Sequence, residues 1–152
     1  IFTIIFELAA IFDSNGVYLY FLNNDPVLRV KVVSQVKEIF SKIEPAGFTP
    51  LVPVLEEVFR LPASNIGHDK QLLVLIASDG APTDAQDNEN IPELERVMRE
   101  YHKIETTFVN FLVCNDDPFY VNYLCGWDQS MIHVDVTNDF VIERNLIRTH
   151  HP

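Results

Sequence analysis

Acids and amides follow apolar runs at three places in this chain: Asn23-Asn24-Asp25, Ser78-Asp79-Gly80 and Asn115-Asp116-Asp117. Oxygen donors gathered at strand ends form an acidic rim, and such donors suit a hard cation. The sharpest of the three lies in LLVLIASDGAPTD, Leu72–Asp84, where an apolar run stops and the Asp79 carboxylate stands directly before a glycine. Thirty residues upstream, GFTPL (47–51) sets the Thr49 hydroxyl between a permissive Gly47 and a helix-initiating Pro50. Both residues also have ordinary structural roles. Asp79 suits an Asx-type turn onto Gly80 and Ala81, and Thr49 suits a helix cap. Ser78 and Thr83 are expected to hydrogen-bond within the turn, Asp84 to cap the turn that follows, and Asp25, Asp116 and Asp117 to cap and solvate the rim.

Other chemistries find little support. The five histidines, at 68, 102, 133, 150 and 151, lack zinc spacing. Neither G-x-x-x-x-G-K nor G-x-G-x-x-G occurs, so no phosphate-cradling loop is indicated. Cys114 and Cys125 do not make a disulfide framework; their apolar settings, FLVC and YLCGW, suggest buried reduced thiols and hence a reducing, cytoplasmic compartment. No partnered histidine marks Cys114 as a nucleophile. A formal charge of −11 argues against nucleic acid, which calls for clustered Lys and Arg. No run approaches the ~18 apolar residues of a membrane span, and IFTIIF lacks the basic flank of a signal peptide.

The elements that must position the rim follow from periodicity. Residues 1–13 suggest an apolar helix stopped by Ser14-Asn15-Gly16. GVYLYFLN (16–23) is β-branched and aromatic and predicts a strand; VLRVKV (27–32) alternates as a short edge strand. SQVKEIFSKI (34–43) predicts a helix with Ser34 as its cap, and LVPVLEEVFRL (51–61) a second with an apolar face. QLLVLIA (71–77) has no polar alternation, as expected of a strand covered on both faces. A helix over 91–103, a buried strand over 106–114, a short helix in FYVNYLCGW with Trp127 as a core anchor, and a strand over 131–136 complete the pattern. Strands alternating with helices imply a doubly wound, mainly parallel sheet between helices, with ligands at the carboxyl ends of its strands.

GFTPL and LIASDGAPTD, thirty residues apart in this pattern, resemble the von Willebrand factor type A (VWA) domain family. FDSNGVYLYFLN and the register of the later strands share in the likeness, which runs from the first helix to VDV. The resemblance implies a Rossmann-like three-layer sandwich over residues 1–142, followed by a C-terminal tail (143–152). It also implies a metal-ion-dependent adhesion site, with Thr49 and Asp79 as two of its metal-binding residues. The ion would be Mg2+, replaceable by Mn2+ or Ca2+, and with few direct carboxylates it would keep the positive character needed to take a partner's carboxylate. The family's Asp-x-Ser-x-Ser loop has no counterpart in residues 1–13, and the chain begins without Met. The expectation is therefore that the central first strand and its loop are missing from the sequence as given.

The function expected is a non-enzymatic protein-interaction module that binds an Asp or Glu of a protein partner through Mg2+, within a larger complex. One alternative is a degenerate VWA domain serving a larger assembly structurally, without metal. A minor one is a Mg2+-dependent hydrolase or phosphotransfer domain using Asp79.

Overall fold

The computed structural model describes residues 6, 7, 9, 11, 13, 15–44, 46–64, 70–115, 122–124 and 126–137. The chain divides into two compact units, Ile1–Phe48 and Thr49–Pro152. Its described part is mixed α/β, with a two-stranded antiparallel sheet and a three-stranded parallel one. Most of the helix expected over 1–13 lies outside the described residues, as does the tail at 143–152; Phe6, Glu7, Ala9 and Ile11 are helical.

In the first unit, β1 (Val17–Phe21) turns through Leu22 and Asn23 into β2 (Asn24–Val30), with Phe21 opposite Asn24 and Val17 opposite Val30. The register slips twice along this short hairpin, and Arg29 takes a left-handed φ of 62°. Gly16 is required where the strands close: a Cβ there would stand 2.8 Å from the Val30 carbonyl oxygen, at φ +98°. Helix α1 (Val33–Lys42) lays Val33, Val36 and Ile39 against a core of Phe6 and Val30, joined by Val17, Leu19 and Val27. Ser34 is not its cap. The helix starts one residue earlier, and Gln35 Oε1 reaches back to accept the Lys31 and Val32 N–H groups, at 3.0 and 3.3 Å. That leaves no first-turn donor for which the serine is placed.

The second unit runs α2 (Leu51–Val58), β3 (Leu72–Ser78), α3 (Ile91–Glu100), β4 (Thr107–Val113), α4 (Trp127–Ser130) and β5 (Val134–Thr137). Its strands are parallel in the order β3-β4-β5, with Leu72 opposite Thr107 and Val109 opposite Val134. Central β4 alternates buried Thr107, Val109, Phe111 and Val113 with half-buried Phe108, Asn110 and Leu112. α2 packs against α3, whose Leu94, Val97 and Met98 are buried. Trp127 is the expected anchor, its ring edge-on to Phe111 at 5.6 Å. The solvent side of α3 carries Glu93–Arg96 and Glu95–Arg99 pairs at helical spacing.

Three expectations are corrected here. β3 is not covered on both faces: Leu73 and Leu75 are 60% and 39% exposed, on the side of the strand opposite Ile76. The apolar run reports only that either face could be buried; β3 is an edge strand, paired with β4 alone among the described residues. Cys114 is exposed, not buried, because it stands one residue beyond inward-facing Val113, where alternation turns it out of the core. Cys125 lies outside the described residues. The last strand begins at Val134 instead of Met131, since Met131 closes α4 and His133, at φ 57°, breaks the extended backbone.

His102 is buried beside Phe59, with its Nε2 2.9 Å from the Thr107 carbonyl oxygen. Burial holds its pKa below the ordinary value, outweighing the Thr107 carbonyl, and the His133 charge pushes the same way. The unfolded chain therefore binds the proton first, and stability falls as pH drops through about 6.5 toward the lowered value. The urea midpoint is expected to decline from about pH 7.5 to about pH 5.5, and to decline less in His102→Gln. Leu94→Ala, at a fully buried site, is expected to cost about 2–5 kcal/mol in urea unfolding. Leu73→Ala should stay within about 0.5 kcal/mol of the parent.

Candidate functional site

The candidate site is the loop that leaves β3. Parallel pairing carries β3 and β4 out at the same edge, where Cys114 N–H donates to the Ser78 carbonyl at 2.8 Å. The chain turns at once: Ser78 Oγ donates to the Gly80 carbonyl at 2.9 Å, which Tyr123 Oη also reaches at 3.4 Å. Burial pushes the Tyr123 hydroxyl pKa up to about 12, so it remains a donor at any physiological pH. Asn115 Nδ2 donates to the Asp79 carbonyl at 2.8 Å. The backbone on both sides of the Asp79 side chain is thus held from β4 and beyond.

Further along, Asp84 closes the loop. Its Oδ1 accepts the N–H groups of Gln86 and Asn88 at 2.8 and 2.9 Å, and its backbone N–H donates to the Asn88 carbonyl. Asp87 completes the turn at φ 64°, a conformation that Asp tolerates. The Asn88 backbone N–H, then its side-chain amide, hold the Asp84 carboxyl below the usual carboxylate range. Thr83 bridges to Glu89, and Asn90 N–H donates to the carbonyl of buried Pro82 at 2.8 Å, leading directly into α3.

Thr49 meets this loop. Its N–H donates to Thr83 Oγ1 and its carbonyl accepts the Thr83 N–H, both at 2.9 Å. Thr49 is therefore fixed to a residue four positions past Asp79, beyond the carboxyl end of β3. It does not cap α2: Pro50 occupies that position and no side chain caps the helix. Among the described residues, neither the Thr49 hydroxyl nor the Asp79 carboxylate makes a hydrogen bond; Asp79 is exposed and Thr49 half-buried. A carboxylate and a hydroxyl are oxygen donors of the type that a hard cation such as Mg2+ takes. Among the described residues no three His, Cys, Asp or Glu side chains gather that could hold a metal ion.

The other parts of the expected rim behave differently. Asn23-Asn24-Asp25 is a hairpin corner joining antiparallel strands, not the carboxyl end of a parallel one. There Asn23 Nδ2 donates to the Phe48 carbonyl at 2.8 Å, and Gly47, at φ +88°, leaves room for that side chain. Asp116 and Asp117 lie outside the described residues, with His68, His150 and His151. Sequence reasoning missed Asn115 and Tyr123 as holders of the Asp79–Gly80 turn. It expected Thr83 to bond within its own turn, whereas the partner stands 34 residues upstream.

No protein-family model, curated protein or solved structure matches this chain. Local geometry alone bears on its function.

Asp84 gives this loop a pH signature. Its contribution is complete above the ordinary carboxylate pKa of about 3.9 and is lost as pH falls from there through its lowered value. Protection of the Gln86 and Asn88 amides, taken relative to their intrinsic exchange at each pH, is expected to be full at neutral pH and to fall across that window. In Asp84→Ala that protection should be low throughout.

Proposed function

We propose that this chain is a protein-interaction module of the VWA type, binding an Asp or Glu of a protein partner through Mg2+ held by Thr49 and Asp79. Mn2+ and Ca2+ are the natural substitutes, being hard cations with oxygen preference. The observation that carries this reading is the paired hydrogen bonding of Thr49 with Thr83 in the loop opened by Asp79. It sets an unengaged hydroxyl and an unengaged carboxylate on one loop system beyond the same strand. Thr49 and Asp79 would hold the ion, which would supply a positive centre, and the Asn115 and Tyr123 bonds keep the Asp79 turn in place.

The fold that goes with this reading is a doubly wound Rossmann-like sandwich, of which the three parallel strands form part. A formal charge of −11 favours a cation-mediated grip on an acidic partner, since direct contact would be repulsive, and disfavours nucleic acid. No helix among the described residues is long and apolar enough to cross a membrane. We assign no catalytic residues and place the module in the cytoplasm, as one part of a larger complex.

A second reading is a metal-free structural unit of an assembly. It is favoured by the exposed Leu73 and Leu75 and by an edge of β3 that pairs with no strand among the described residues, which offer apolar area and backbone donors to a neighbour.

Calorimetric titration of EDTA-treated protein with Mg2+ separates the two. Saturable binding is expected in the parent, with a loss of about tenfold or more in Asp79→Ala and in Thr49→Ala. Equal saturable heats in all three proteins would exclude Thr49 and Asp79 as holders of the ion, and no binding in the parent would leave the structural reading.

A further inference from the structure

We infer that the open edge of β3 is a self-association surface, on which a second copy of this chain pairs its own β3 antiparallel about a two-fold axis at Leu75. The edge belongs to the sheet alone, and its pairing stands apart from the Mg2+ reading. Backbone alternation defines it. Leu72 N–H donates to the Thr106 carbonyl and Cys114 N–H to the Ser78 carbonyl, both at 2.8 Å. Residues 72, 74, 76 and 78 therefore turn their peptide groups to β4, and Leu73, Leu75 and Ala77 turn theirs away from it. Among the described residues β3 pairs with no other strand, so the N–H and carbonyl groups of those three face outward.

The usual guards of a strand edge are missing from β3. It keeps its register with β4 over seven residues without a bulge, and its sequence, LLVLIAS, holds no proline and no charge. The side chains that accompany the open peptide groups, Leu73, Leu75 and Ala77, are all exposed. The strand is also complementary to itself when reversed. Leu75 is the middle of Leu72–Ser78, so an axis there is the one antiparallel register that opposes all seven residues. It sets Leu75 against Leu75 and each Leu73 against an Ala77, large beside small, and each of these pairs exchanges two backbone hydrogen bonds. On the other face Val74 meets Ile76. The flanks carry opposite formal charges, Lys70 before β3 and Asp79 after it, so reversed copies bring each Lys70 beside the other's Asp79. Parallel copies would set like beside like. The net charge of −11 lies outside Leu72–Ser78 and is screened beyond about 8 Å at physiological salt.

Sedimentation velocity of the full chain at about 0.15 M salt, in EDTA so that no ion contributes, is expected to show a monomer–dimer equilibrium. Leu75→Lys places two cations at the axis and should leave only monomer at concentrations where the parent is dimeric, with unchanged circular dichroism. Crosslinking in a Cys114→Ser background reads the register. Opposed Leu75 Cα atoms would stand about 5.5 Å apart, within disulfide reach, whereas Leu73 faces Ala77. Oxidation should therefore join Leu75→Cys into a covalent dimer and leave Leu73→Cys, and the background alone, as monomers. A parent that stays monomeric up to its solubility limit overturns the proposal and leaves the edge to a strand of another protein. A dimer that survives Leu75→Lys, or equal crosslinking at the two positions, overturns it as well. Should Leu75→Lys not fold, the crosslinking pair decides.

Discussion

The in-register parallel pairing of β3 with β4 is the constraint on which the second unit depends. Seven residues of each strand face one another, from Leu72 with Thr107 to Ser78 with Val113. Both strands therefore end at one edge, and β5, also parallel, ends there too. Parallel pairing requires each connection to run back along the sheet, which is why α3 and α4 lie between the strands. It also delivers Asn115, just past β4, to the carbonyl of Asp79, just past β3. The loop after β3 is thus placed by backbone hydrogen bonding in the sheet before any of its own side chains act.

The two sides of this sheet have different roles. One side is packed: Val109, Phe111, Val113, Ile76 and Val134 are buried there, with Trp127 against Phe111. Burial of this apolar area supplies the main stabilisation, at about 25 cal/mol per Å2. The surface ion pairs of α3 add little by comparison, because exposed pairs contribute about 0–1 kcal/mol each. The other side carries Leu73, Leu75 and Ala77 on β3 and Asn110, Asp135 and Thr137 across β4 and β5. Asn110 Nδ2 donates to Asp135 Oδ2 at 2.7 Å and to Thr137 Oγ1 at 3.0 Å, a small polar ladder on an otherwise apolar surface.

Much of this was legible in the chain. Helix α3 was evident from Ile91, Leu94, Val97, Met98 and Tyr101 at helical spacing, and the structure buries Leu94, Val97 and Met98 and leaves Ile91 and Tyr101 half-buried. The strands at 17–21, 72–78 and 107–113 follow the apolar and β-branched runs that announced them. The role of Asp84 was also local, since its partners lie two and four residues away. Ser34 misled because a serine before an apolar stripe looks like a cap, whereas Gln35 competes from within the first turn. Cys114 misled because apolar neighbours say nothing about which way a residue at a strand end points.

Composition and periodicity by themselves determined the class of the protein: an acidic α/β chain whose apolar residues repeat at 3.6 in helices and concentrate in strands. These are short-range properties, set by backbone geometry and by which side chains avoid water. Only tertiary structure decided which face of β3 stays open, where Cys114 points, and that Thr83 serves Thr49 instead of its own turn. Each of those depends on contacts between residues far apart in the chain, and no periodicity within a window of ten or so residues encodes them.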